Sequence, residues 1–133
     1  MTRVLIVDDH PFLRQVLTDV VNASGDLEVV GECSDGADVP AAVDALRPDV
    51  VLMDVRMEQV SGIDATAHLK QQGSDARVLM LSSETAPHLQ AAAREAGAAG
   101  YVAKGTAPHQ LLDAIREVAR GASTWSAVPS PEH

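Results

Sequence analysis

The sequence predicts an α/β fold in which a parallel β-sheet carries helices on both faces. Three observations predict it. Short runs of β-branched and aliphatic residues, such as Val4-Leu5-Ile6-Val7 and Val50-Val51-Leu52-Met53, have the length and composition of fully buried strands. Stretches of helical period alternate with such runs five times. Gly25, Gly36, Gly62, Gly73, Gly97, Gly100 and Gly121 punctuate the boundaries. Repeated strand–helix units of this kind build a parallel sheet with right-handed crossovers. The commonest solution is the (βα)5 flavodoxin-like three-layer sandwich, with strand order 2-1-3-4-5.

Taken in order, the first strand is expected at 3–7 and the first helix at 11–24. Pro11 suits the opening turn of that helix, and Leu13, Val16, Leu17, Val20 and Val21 share one face. Strands follow at 27–33, 49–53, 77–81 and 100–103, and helices at 37–46, 62–72, 86–96 and 108–120. The last helix carries Leu111, Leu112, Ile115, Val118 and Ala119 on one face, with Pro108 in its opening turn. After Gly121 the chain becomes small, polar and proline-bearing. Residues 1–121 are therefore expected to form one domain, and residues 122–133 a linker rather than a sixth element.

Composition narrows the function. A chain of 133 residues with 46% apolar content is one domain with a real core. A net charge of −9 makes it a poor binder of nucleic acid or anionic membrane. No apolar run is long enough to span a membrane, and strand one begins too early to leave room for a signal peptide. Cys33 is the only cysteine, which suits a reducing cytoplasm and reads as a packed residue near a strand end. The five histidines, His10, His68, His88, His109 and His133, show no metal-ligand spacing. His10 reads as a turn residue opening the first helix.

The strand ends carry the chemistry. Strand one ends in Asp8-Asp9, strand three in Asp54 and strand four in Ser82-Ser83, while Lys104 follows strand five. Strand two ends in the blander Cys33-Ser34-Asp35. Any one of these residues alone is an ordinary turn former, cap or surface charge. Together they fall at the carboxyl end of one sheet, where such folds bind ligands. Three converging carboxylates repel unless a cation intervenes, and a hard divalent ion, Mg²⁺ first of all, is the natural counter-charge. Carboxylates, a hydroxyl and an ammonium are a set suited to phosphoryl transfer onto a carboxylate.

Asp8-Asp9-His10-Pro11, Asp54-Val55-Arg56-Met57 with Gly62 following, Ser82, and Gly100-Tyr101-Val102-Ala103-Lys104 resemble the receiver domain of bacterial two-component response regulators. The resemblance runs from Arg3 to about Gly121. Within that family it is similar to receivers of NarL/LuxR-type transcription regulators. It implies Asp54 as phosphoacceptor, and Asp9, Asp54 and the Arg56 backbone carbonyl as Mg²⁺ ligands, with Asp8 acting partly through water. It implies Ser82 as the switch hydroxyl, Lys104 as its cationic companion and Tyr101 as the aromatic that reports phosphorylation.

Two departures from the family pattern stand out. Glu58 replaces a usual proline, which frees a φ angle and adds a negative charge near an acidic site. Gly105 replaces a proline often found in cis, so no cis bond is expected there. Glu84, two residues past Ser82, either faces the site or acts as an acid at the start of a helix.

The resemblance implies phosphorelay signalling. A sensor histidine kinase is the expected partner, homodimerisation on phosphorylation the expected assembly, and the cytoplasm the expected compartment. DNA binding would belong to a helix-turn-helix domain outside these residues. A phosphorylation-independent interaction module is the alternative. An independent phosphatase is disfavoured, because its acid/base aspartate would stand where Arg56 stands.

Overall fold

In the computed structural model, which describes residues 1–125, the first strand β1 (Thr2–Val7) enters the middle of the sheet and leads into α1 (Pro11–Asn22). Then come β2 (Leu27–Cys33), a 3-10 turn (Gly36–Asp38), α2 (Val39–Leu46), β3 (Val50–Asp54) and α3 (Gly62–Gln71). The chain continues through β4 (Arg77–Ser82), α4 (Pro87–Ala96), β5 (Gly100–Ala103), α5 (Pro108–Ala119) and β6 (Thr124–Trp125). The sheet is parallel, in the order β2-β1-β3-β4-β5-β6. The flavodoxin-like order expected for five strands is present, with one strand added at the edge.

Alternation along each buried strand divides the core in two. Leu5, Val7, Val51, Met53, Val78, Met80 and Tyr101 pack beneath α2, α3 and α4 through Val43, Ala65, Leu69 and Ala93. Val4, Ile6, Val50, Leu52, Leu79, Leu81 and Val102 pack beneath α1 and α5 through Leu17, Val21, Leu111, Ile115 and Val118. Strand β3 is buried along its whole length. That is why it reads as a continuous apolar run rather than an alternating one.

Three details differ from the sequence reading. Helix α1 stops at Asn22, and Val16 on its expected apolar face is 39% exposed, with Phe12 81% exposed one turn before it. The second helix is preceded by a 3-10 turn, because Asp35 caps Ala37 N–H and Pro40 sits in the first turn of α2. The same helix ends at Leu46 as expected, because Arg47 caps it in the left-handed region (φ 50°) and Pro48 prevents its continuation. The third is a correction of the linker expected from 122 onward. Thr124 and Trp125 pair in parallel with Gly100 and Tyr101 and add a sixth strand. The Arg94 guanidinium lies 4.3 Å from the centre of the Trp125 ring, and the indole packs against the core beneath α4. Residues 126–133 of the expected linker, His133 included, lie outside the described residues. Among the described residues no helix is long and apolar enough to cross a membrane.

Candidate functional site: a carboxylate pocket at the carboxyl end of the sheet

Central strands β1 and β3 run in register from Val4 with Val50 to Val7 with Met53. Their next residues, Asp8 and Asp54, therefore emerge side by side. Asp8 is almost fully buried, its backbone N–H donating to the Cys33 carbonyl at 3.1 Å. Arg14 of α1 donates to the Asp8 carbonyl at 2.6 Å, which ties the turn to the helix. Asp54 is 5% exposed, while Asp9 reaches further into solvent. Ligand atoms of Asp8, Asp9, His10 and Asp54 all lie within 4.8 Å of one another.

Lys104 enters this cluster from the loop after β5, and its backbone N–H donates to the Ser82 carbonyl at 2.9 Å. Its Nζ donates to Asp54 Oδ2 at 3.1 Å and stands 3.2 Å from Asp8 Oδ2. The second contact is an ion pair without hydrogen-bond direction, so Asp8 Oδ2 is buried with no hydrogen bond. Burial, followed by the Asp8 charge, raises the Asp54 carboxyl above the ordinary carboxylate range, against the pull of Lys104 and the Arg56 backbone amide. Burial would lower the Lys104 ammonium, but the Asp54 and Asp8 carboxylates outweigh it and hold Lys104 above its usual value. One cation thus serves two buried acids.

A second layer lies on the β4 side. Ser82 Oγ accepts the Glu84 N–H at 3.0 Å. Tyr101 is fully buried, and its hydroxyl donates to the Glu84 carbonyl. The Arg56 guanidinium grips the Glu84 carboxylate in a two-pronged pair and lowers its pKa. Glu84 is therefore held at its N–H, its carbonyl and its carboxylate, and it bridges the loops after β3 and β4.

Asp8, Asp9, Asp54 and Lys104 meet as the strand ends implied. Ser82 lies at the end of its strand with its hydroxyl on Glu84. Glu58 is exposed and, among the described residues, makes no ion pair. Every described peptide bond is trans, the one before Gly105 included. Burial pushes the Cys33 thiol up to about 11, in keeping with a packed rather than reactive residue.

Two site residues escaped the sequence reading. His10 is not only a turn residue. Its Nδ1 stands 2.8 Å from Asp9 Oδ1 and 3.1 Å from Asp8 Oδ1, and its backbone N–H donates to Asp8. Its position directly after the acid pair was the available signal. Asp35 was passed over as a bland strand end, yet its carboxylate accepts the N–H groups of Ala37, Gln59 and Val60.

Comparison with known proteins agrees with this geometry. The sequence pattern of the response regulator receiver domain matches residues 4–116. The transcriptional regulatory protein YxjL of Bacillus subtilis is 37% identical over 126 residues, which is 95% of this chain and 58% of YxjL. The response regulator UvrY of Escherichia coli is 39% identical over 121 residues, 91% of this chain and 56% of UvrY. This chain thus spans under three-fifths of the length of these relatives. A LuxR-family two-component response regulator from Aurantimonas superposes with a TM-score of 0.89 at 32% identity, covering 99% of this chain and 92% of that one. The signal receiver domain of NarL from Mycobacterium tuberculosis superposes with a TM-score of 0.88 at 33% identity, covering 90% and 97%. Sequence pattern, strand order and the Asp8, Asp9, Asp54 and Lys104 pocket converge, and the chain belongs to the receiver domain family of two-component response regulators, among those of NarL/LuxR type.

Proposed function

We propose that this domain accepts a phosphoryl group on Asp54 from the phosphohistidine of a sensor histidine kinase and relays the change to a transcription regulator. The observation that carries the proposal is the buried Asp54 carboxylate held by Lys104 beside a second buried acid. A carboxylate oxygen of Asp54 would attack phosphorus as the P–N bond breaks, the electron pair leaving with the imidazole. Lys104 would pass from offsetting two carboxylates to offsetting phosphoryl oxygens. Ser82 would exchange its bond with Glu84 N–H for donation to a phosphoryl oxygen.

The donor set also suits Mg²⁺. It offers acidic oxygens only, apart from His10, and a buried Asp8 Oδ2 with no hydrogen bond. Asp9, Asp54 and the Arg56 carbonyl would hold the ion, with Asp8 behind them. Bound there, Mg²⁺ would supply positive charge opposite the transferred group. The site would perform this self-phosphorylation and its reversal by water, and no other turnover, because Arg56 stands where a hydrolase needs an acid.

Differential contacts of Ser82 and Lys104 before and after modification would shift the domain between two states, with Tyr101 following the loop it holds. The output would be homodimerisation and DNA binding through a helix-turn-helix domain outside these residues, in the cytoplasm. In acetyl phosphate and Mg²⁺ the protein should gain one phosphoryl group, and Asp54→Asn should gain none. Equal labelling of that variant would place the acceptor elsewhere. An unlabelled wild type would leave a phosphorylation-independent interaction module.

A further inference from the structure

The loop between β3 and α3, residues 55–61, follows Asp54 directly and contains no proline to restrict it. It is nonetheless fastened at two points. At its far end Gly62 N–H donates to the Val55 carbonyl at 2.8 Å, and the backbone there passes so close that a Cβ on Gly62 would stand 2.0 Å from the Asp54 carbonyl oxygen. In its middle the fastening comes from a different loop. Asp35, buried after β2, accepts Gln59 N–H at 2.8 Å and Val60 N–H at 3.0 Å, while also accepting Ala37 N–H at 2.9 Å in its own turn. Gly36 N–H donates to the Val60 carbonyl at 3.2 Å, and a Cβ on Gly36 would stand 2.4 Å from that oxygen. The Asp35 carboxylate and the Gly36 backbone thus form a short polar seam with the backbone of Gln59 and Val60.

Arg56 lies between Val55, whose carbonyl Gly62 holds, and the Gln59–Val60 seam. It stands two residues after Asp54, and its guanidinium grips Glu84, whose N–H Ser82 accepts. A loop free to drift at Gln59 and Val60 would carry Arg56 with it. We propose that Asp35 is a positioning residue for the chemistry at Asp54, acting through the loop backbone and Arg56 rather than by touching the reacting atoms.

This inference rests on the phosphoacceptor role proposed for Asp54. A carboxylate suits the task because its two oxygens can accept all three N–H groups at once, and these bonds hold its pKa below the usual carboxylate range, the Gln59 and Ala37 amides foremost. Its pull on the loop is therefore constant at neutral pH. Asparagine keeps one accepting oxygen and alanine none.

The test compares Asp35→Asn and Asp35→Ala with wild type in two measurements. One is the acetyl phosphate labelling rate at saturating donor and Mg²⁺. The other is amide hydrogen exchange at Arg56, Gln59 and Val60 without metal or donor. A displacement of the order of an ångström at a reacting group costs up to about a hundredfold in rate, so a partial release predicts about tenfold slower labelling in Asp35→Ala and about threefold in Asp35→Asn. Exchange at Arg56 should quicken together with that at Gln59 and Val60.

Recovery toward wild type in the asparagine variant separates positioning from a general loss of fold. If the alanine variant does not fold, the asparagine variant decides. Wild-type labelling together with fast exchange at Gln59 overturns the proposal. A wild type that takes no label instead overturns the phosphoacceptor reading, and the seam is then judged by exchange at Arg56 alone.

Discussion

At Asp54 the fold holds a carboxylate where burial and the neighbouring Asp8 charge both oppose ionisation. A group whose folded pKa is raised contributes its full stability below its unfolded value, and that contribution is lost as pH rises through the folded value. Metal-free Asp54→Asn is therefore expected to melt higher than wild type at pH 7. The gain should shrink as pH falls toward the ordinary aspartate range near about 4. Thermal melts in chelator across that range check it, and a constant gain would assign it to packing. The Lys104 charge has the opposite effect and stabilises the fold at neutral pH. Replacing Lys104 by methionine strands two buried acids. We expect a loss of roughly 2 kcal/mol at neutral pH, below that of a fully buried pair because the Lys104 side chain is partly exposed. Acid should restore part of it by protonating Asp54, as urea unfolding at pH 5 and pH 7 would show.

The four charged members of this pocket were legible in the sequence because each ends or follows a strand of the same sheet. Asp35 was not, since its importance comes from Gln59 and Val60, brought to it only by the crossing of two loops. Glu84 was legible as a neighbour of the site. Its grip by Arg56 depends on how two loops lean toward each other.

Among the elements, strand β6 shows where local patterning stops informing. Two residues are too few for an alternation, and the segment around them is polar. What recruits it lies elsewhere, in Arg94 on α4 and in the bare backbone of Gly100. A Cβ on Gly100 would stand 2.2 Å from the Thr124 carbonyl oxygen and 2.9 Å from Leu79 Cδ1. Gly100→Ala is therefore expected to detach β6 from β5. Amide exchange at Trp125 should rise to that of a free segment, and unchanged protection would show that β5 shifts instead. Boundaries elsewhere moved by a residue or two, as at the start of α2, which follows a 3-10 turn capped by Asp35, while its end at Leu46 was legible from Pro48.

Over the whole molecule, the sheet separates two cores that share only the strands. Leu79 lies at the centre of the core beneath α1 and α5 and is completely buried. Leu79→Ala should cost about 3 kcal/mol, read as a lower urea midpoint with an unchanged slope. The layered architecture was legible throughout, because strand and helix periods are dictated by burial on two faces. The orientation of α1 was legible only in part. Its apolar stripe is wider than the surface it covers, which leaves Phe12 and Val16 outward.

Trp125 is the chain's only tryptophan, and its strand partner Tyr101 is the only tyrosine. The near-ultraviolet optics of the domain therefore reside in two rings beside each other at one edge of the sheet. One of them belongs to the strand whose hydroxyl-bearing side chain touches the loop of the acid pocket. An unlabelled sample in a cuvette already contains its own emitter, so ligand binding, tail release and unfolding can be followed in real time by the colour and intensity of a single fluorophore.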